Sequence, residues 1–271
     1  MKNKIYRYYF FLCCQLPLAM FFSCSQKSPV HLQEKVEALL DSSVTQYFGE
    51  QIYMDVWERL WIPHYQQLAC IDLLADTLDI QFVELGINAN IHDVCWQNNG
   101  NMIVATDNVL ISIDDDGYTE IANLPYSGMR IEAASDSTFY IFGKSAVRNE
   151  YDVSLIDMSG NIQRLFSTEE KIIDVAGNGY VTVLVLSKEL ALFSPEVAPT
   201  VFFSFENEIN AIAITDYGGF FVATSNGIYY FEDVDHYYMF SEIGAKKLWF
   251  RNQKLYILFE NGNLTVFSMS S

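Results

Sequence analysis

A chain of 271 residues with 51% hydrophobic side chains holds material for a large core, and its 20 Phe and 17 Tyr favour strands over helices. The 34 acidic side chains outnumber the 16 basic ones, and the formal net charge of −18 opposes binding to nucleic acid or to anionic lipid. His, Cys and acidic residues show no metal-ligand spacing, so neither a metal nor another cofactor is expected.

At the N-terminus, Lys2, Lys4 and Arg7 precede an apolar run over residues 8–22 and then Ser23-Cys24. A basic start, a short apolar stretch and a small residue at the cut site predict a secretory signal over 1–23, too short for a membrane span. Phe21-Phe22-Ser23-Cys24 resembles a bacterial lipobox, with Phe21 where that motif prefers Leu. The resemblance implies cleavage before Cys24 and an acyl chain on it. Ser25 resembles the residue that directs such lipoproteins to the outer membrane, and residues 25–28 lack the acidic cluster of a surface-export signal. A periplasm-facing outer-membrane lipoprotein of the cell envelope is therefore expected. Processing would leave 13 basic against 34 acidic side chains, net −21. Cys70 and Cys95 would be the remaining thiols, either paired or buried and free.

Residues 24–43 read as a tether followed by one short helix over 31–40, since Leu32, Val36, Leu39 and Leu40 share a helical face and Asp41-Ser42-Ser43 ends it. The region 44–85 is less regular, with strand-like runs at 68–74 and 78–85. From Ile91 onward a repeating unit becomes legible. Strand patterns at 91–96, 102–106, 109–113 and 118–123 are parted by Asn98-Asn99-Gly100-Asn101 and by Asp114-Asp115-Asp116-Gly117. Further units run over 129–166, 171–205 and 209–240, and three last strand patterns lie at 247–250, 254–260 and 264–268.

Taking one apolar residue of each unit's first strand, Val56, Val94, Ala133, Val175, Ile212 and Leu248 are spaced by 38, 39, 42, 37 and 36 residues. Four strands per unit and a period near 40 predict an all-β chain: a six-bladed β-propeller over 44–271 with four-stranded antiparallel blades. The last unit lacks a fourth strand, and residues 44–52 are the candidate to supply it and close the ring.

Phe221-Val222-Ala223-Thr224-Ser225-Asn226-Gly227-Ile228 resembles the repeat of two-component-regulator-type propellers, and Ile103-Val104-Ala105-Thr106-Asp107-Asn108-Val109-Leu110 resembles it with Val in place of Gly. Glu260-Asn261-Gly262-Asn263-Leu264 keeps the turn alone. The resemblance, which covers two blades well, implies the fold and carries no functional residue.

The run Asp114-Asp115-Asp116-Gly117 lacks the alternate spacing and closing Glu of a calcium loop and reads as a solvated turn. No nucleophile elbow or His pair at metal spacing is present. His92-Asp93, at the start of a first strand, is the best polar pair for the mouth of a channel. Asp55, Asp93 and Asp174 each precede Val at matched positions, which favours a shared inner-strand turn over a site. The expected function is a lipid-anchored, non-enzymatic module that binds another envelope protein, with no nucleic-acid partner. The alternative is a propeller enzyme or carbohydrate-binding protein with its site in the central channel.

Overall fold

The computed structural model describes residues 32–39, 51–75, 79–97, 100–114, 117–126, 128–135, 137–177 and 181–269. The signal segment, Cys24, the tether and residues 40–50 lie outside them. The strands begin with β1 (Leu32–Leu39). Blade one follows with β2 (Tyr53–Met54), β3 (Arg59–His64), β4 (Gln67–Asp72) and β5 (Ile80–Glu84). Blade two comprises β6 (Ile91–Trp96), β7 (Met102–Thr106), β8 (Val109–Asp114) and β9 (Gly117–Asn123), and blade three β10 (Arg130–Ala133), β11 (Thr138–Lys144), β12 (Tyr151–Asp157) and β13 (Ile162–Thr168). Blade four holds β14 (Ile172–Gly177), β15 (Thr182–Leu186), β16 (Glu189–Ser194) and β17 (Val197–Ser204), and blade five β18 (Ile209–Ile214), β19 (Phe220–Thr224), β20 (Gly227–Phe231) and β21 (Tyr237–Ser241). Blade six combines β22 (Lys247–Arg251), β23 (Lys254–Leu258) and β24 (Asn263–Met269) with β1. The chain is a six-bladed β-propeller of four-stranded antiparallel blades.

The first strand of each blade faces the centre and the middle strands are covered on both faces by neighbouring blades. This is why β7 and β19 read as unbroken apolar runs and are almost wholly buried, while the outer β9 and β17 are largely exposed. Aromatic residues fill these seams: Phe231 stacks on Phe220 and Tyr237, and Phe205 meets Tyr229 edge-on. Cys70 and Cys95 are buried free thiols, and burial pushes Cys70 up to about 11.

Two turn types carry the repeat. Between β7 and β8, Thr106 accepts from the Val109 N–H and donates to the Val109 carbonyl; between β19 and β20, Thr224 donates to the Gly227 carbonyl. The Thr of the two-component-type motif is thus the hydroxyl that closes a tight hairpin. Between first and second strands, a four-residue turn ends in a left-handed residue whose N–H returns to the carbonyl three places back: Gly100 to Gln97 in blade two and Gly218 to Thr215 in blade five. In blade one that place is held by Glu58, at φ 64°.

The expected N-terminal helix is a strand instead. β1 runs antiparallel to β24, from Leu32 opposite Met269 to Leu39 opposite Asn263. An isolated ten-residue helix is marginal in water, whereas β24 without a neighbour would leave a row of backbone donors and acceptors unpaired. Local periodicity loses to that edge. Closure by a strand from the start of the chain is therefore present, but β1 makes it and not residues 44–52, of which Gln51 and Ile52 lead directly into β2.

A second clasp joins the first and last blades. The Glu58 carboxylate accepts from Lys254 Nζ at 2.8 and 3.1 Å, from Asn252 Nδ2 at 3.0 Å and from the Tyr256 hydroxyl. Beneath it, Met54, Leu60 and Ile71 of blade one pack with Trp249, Tyr256 and Leu258 of blade six.

Candidate functional site: the central channel

The six innermost strands enclose a cavity of about 510 Å³. Backbone register shows which residues share a level. β6, β14 and β18 carry the same irregularity, between Ile91 and Asp93, Ile172 and Asp174, and Ile209 and Ala211. The bonds from Asp55 N–H to Arg59, Gln97 to Asn101, Ala134 to Thr138 and Thr215 to Gly219 mark equivalent ends of β2, β6, β10 and β18. In blade six, Lys246 N–H bonds to the carbonyl of Leu258, the partner of Lys247. Gln51, Asp93, Arg130, Asp174, Ala211 and Lys247 accordingly form one level, one from each blade. Going round it, Asp93, Arg130, Asp174 and Lys247 alternate in sign. The next level inward carries Tyr53, Cys95, Glu132, Ala176, Ala213 and Trp249.

Arg130 ties three blades together. Its Nε lies 3.4 Å from Asp93 Oδ2 of blade two, its Nη1 donates to the Ile173 carbonyl of blade four, and its guanidinium sits 5.2 Å from the Phe142 ring centre in its own blade. Asp93 is wholly buried; its oxygens also accept from Val94 N–H at 3.0 Å and Ile131 N–H at 2.8 Å. Burial raises the Asp93 carboxyl, against the pull of Arg130. Burial acts to lower Arg130, but Asp93 and Asp174 outweigh it and hold the guanidinium charged.

Glu132 lies deep in the ring while facing its water-sized space. Burial and the Asp174 carboxylate push it up to about 8 despite Arg251 and Arg130, so it is largely protonated at neutral pH. Burial and Arg130 push Lys247 down, and burial and Asp93 push the Tyr53 phenol up. The Tyr53 hydroxyl beside Asp93, and the Arg130 Nε–H at 3.4 Å from Asp93 Oδ2, have no hydrogen-bond partner.

Of the residues singled out in the sequence, Asp93 and Asp174 come together in the ring. Asp55 does not join them, because β2 ends at Met54 and Asp55 stands at the turn position held by Gln97 in blade two. Its buried carboxylate accepts from Trp57 and Arg59 N–H at 2.9 Å each, Arg59 Nε at 2.6 Å and Trp61 Nε1 at 2.8 Å. Val56 is for the same reason a turn residue, and the true counterpart of Val94 in blade one is Ile52. His92 sits on the bulge and leaves the channel: its Nε2 meets Asp107 Oδ1 at 2.6 Å, and that bond holds the Asp107 carboxyl below its ordinary value. His92 and Asp93 are adjacent in sequence and separate in space. Arg130, Glu132, Lys247 and Tyr53 were missed, although each sits at a fixed offset from an inner-strand marker once the register is known. Among the described residues no three His, Cys, Asp or Glu side chains gather to hold a metal; Asp115 and Asp116 of the acidic turn lie outside them.

No family model and no curated protein sequence matches this chain. Solved structures do. Virginiamycin B lyase from Staphylococcus aureus matches with a TM-score of 0.61 at 14% identity, over 88% of this chain and 100% of that one. Regucalcin, a calcium-binding protein from Agrobacterium tumefaciens, matches with 0.61 at 12% identity, over 82% and 90%. The extracellular domain of a hybrid two component system from B. thetaiotaomicron matches with 0.58 at 16% identity, over 81% of this chain and 33% of that one. At such identities the likeness is one of fold. It corrects the expectation of a non-enzymatic chain: the same ring serves a lyase, and the channel here holds the buried, unsatisfied polar groups that the sequence reading did not find.

Proposed function

We propose that this protein is a cell-envelope binding propeller whose recognition site is the charged end of its central channel, held at the outer membrane by an acyl chain on Cys24. The observation that carries the channel reading is the ring of Asp93, Arg130, Asp174 and Lys247 above Glu132 and Tyr53, in a cavity of a size that suits a small molecule. Enclosing this many charged and polar groups in the ring, with two buried donors unsatisfied, is costly for stability alone. Solved propellers of similar fold that are extracellular domains support the envelope location. Catalysis in the channel is compatible with this reading and would follow binding.

The test is a plug. Ala213 lines the cavity, and Ala213→Phe would fill it from blade five. Native mass spectrometry of the full chain released from membranes in mild detergent should show a small molecule retained by the wild type and lost from the plugged variant at unchanged melting temperature. Equal retention by both, or a stoichiometric envelope protein captured equally by both, would move recognition off the channel. For the anchor, metabolic labelling with an alkyne fatty acid should mark the wild type and not Cys24→Ala.

A further inference from the structure

Some of the polar groups at the channel are hydrogen-bond donors without acceptors. The Tyr53 hydroxyl and the Arg130 Nε–H are buried and unsatisfied. No hydrogen bond or ion pair joins the Lys247 ammonium or the Glu132 carboxyl to another described residue, although both lie deep within the ring. Beside these groups Trp96, Trp249 and Phe250 supply an apolar wall to the same cavity. In the two levels of the channel Arg130 and Lys247 balance Asp93 and Asp174, and Arg251 adds an exposed positive charge at the next level.

We propose that the channel binds a small organic carboxylate, its anionic head held by Lys247, Tyr53 and the outer edge of Arg130, and its apolar body against Trp96 and Trp249. This rests on the channel reading above and names the ligand class for it. A carboxylate supplies the acceptors that these donors lack. A cation would meet Arg130 and Lys247, and a purely apolar molecule would leave four donors dry.

Glu132 couples such binding to pH. It faces Asp93 and Cys95 on β6, Arg130 on β10, Asp174 on β14, Arg251 on β22 and Tyr53 on β2, while β18 offers only Ala211 and Ala213 at these levels. When Glu132 ionises, it adds a negative charge to the ring and a second carboxylate is repelled.

Benzoate, benzamide and benzylamine share one body and differ in the head, which makes them suitable probes. Ligand-observed NMR on the full chain at pH 6.5 should show benzoate binding at least tenfold more tightly than the other two. Lys247→Met should lose tenfold or more of the benzoate affinity. Raising the pH to 9 should weaken benzoate binding to the wild type, and Glu132→Gln should retain more of its pH 6.5 affinity at pH 9 than the wild type does. Equal binding of benzamide or benzylamine, full benzoate binding by Lys247→Met, or no benzoate binding at all would overturn the carboxylate assignment. A neutral or cationic probe that binds the wild type and is lost from Ala213→Phe would leave the channel reading standing while this inference falls. Benzoate binding undiminished by Ala213→Phe would remove both.

Discussion

Replacing Glu58 with Gln tests what holds the ring shut. Glu58 occupies a left-handed turn position that glycine fills in blades two and five, and such a conformation costs a non-glycine residue about 1 kcal/mol. Its carboxylate returns more than that by joining blade one to Asn252, Lys254 and Tyr256 of blade six. Burial alone would raise the Glu58 carboxyl, but hydrogen bonds from Lys254, Tyr256 and Asn252 outweigh it and hold it below the ordinary glutamate value. Removing one partner of a buried pair costs roughly 3–5 kcal/mol. Lys254 is 35% exposed, so solvent screens part of this, and about 2–3 kcal/mol is the expected loss. For a domain of this size that corresponds to a fall of roughly 5–10 °C in Tm. Gln keeps the side-chain shape and the strained backbone, so the loss isolates the charge. Because the folded value is depressed, this contribution is present above the unfolded value near 4.5 and is lost as pH falls through the folded one. The gap between wild type and variant in thermal melts should therefore be full at pH 7 and close toward pH 3. A Tm within 1 °C of wild type at pH 7, or a gap that persists unchanged in acid, would refute the clasp.

Three further outcomes follow from the geometry. Glu132 has the opposite sign: raised from 4.5 to about 8, it contributes stability that is fully present below about 4.5 and disappears as pH rises through about 8. Denaturant melts should show the wild type losing a few kcal/mol relative to Glu132→Gln over that window; parallel curves would place Glu132 in water. At Gly244 an added Cβ would lie 2.3 Å from the backbone carbonyl oxygens of Ser225 and Thr224, so Gly244→Ala should lower Tm by several degrees, and an unchanged melt would show that the loop yields. Deleting residues 32–39 from the otherwise intact chain removes seven register pairs along β24 and should lower Tm sharply or cause association through the freed edge, as read by calorimetry and light scattering. A deletion variant that melts like its parent and stays monodisperse would rule out closure by β1.

The architecture was largely legible in the sequence because each blade repeats its own local chemistry. Runs such as Phe221-Val222-Ala223-Thr224, followed by Ser225-Asn226-Gly227, specify a buried strand and a tight turn without reference to the rest of the chain, and their recurrence near every 40 residues predicts the ring. What required the tertiary structure was decided by groups far apart in sequence. Residues 31–40 have a helical pattern, and only the unpaired edge of β24 makes a strand of 32–39. Asp55 precedes Val as Asp93 and Asp174 do, yet one turn ending earlier takes it out of the channel. Arg130, Glu132 and Lys247 look like ordinary surface charges in their strands. They become a site because six first strands converge on one axis, where burial and mutual charge act on their ionisation. Local periodicity determines strands and blades; the proximity of side chains from different blades, and with it any chemistry in the channel, exists only once the ring has closed.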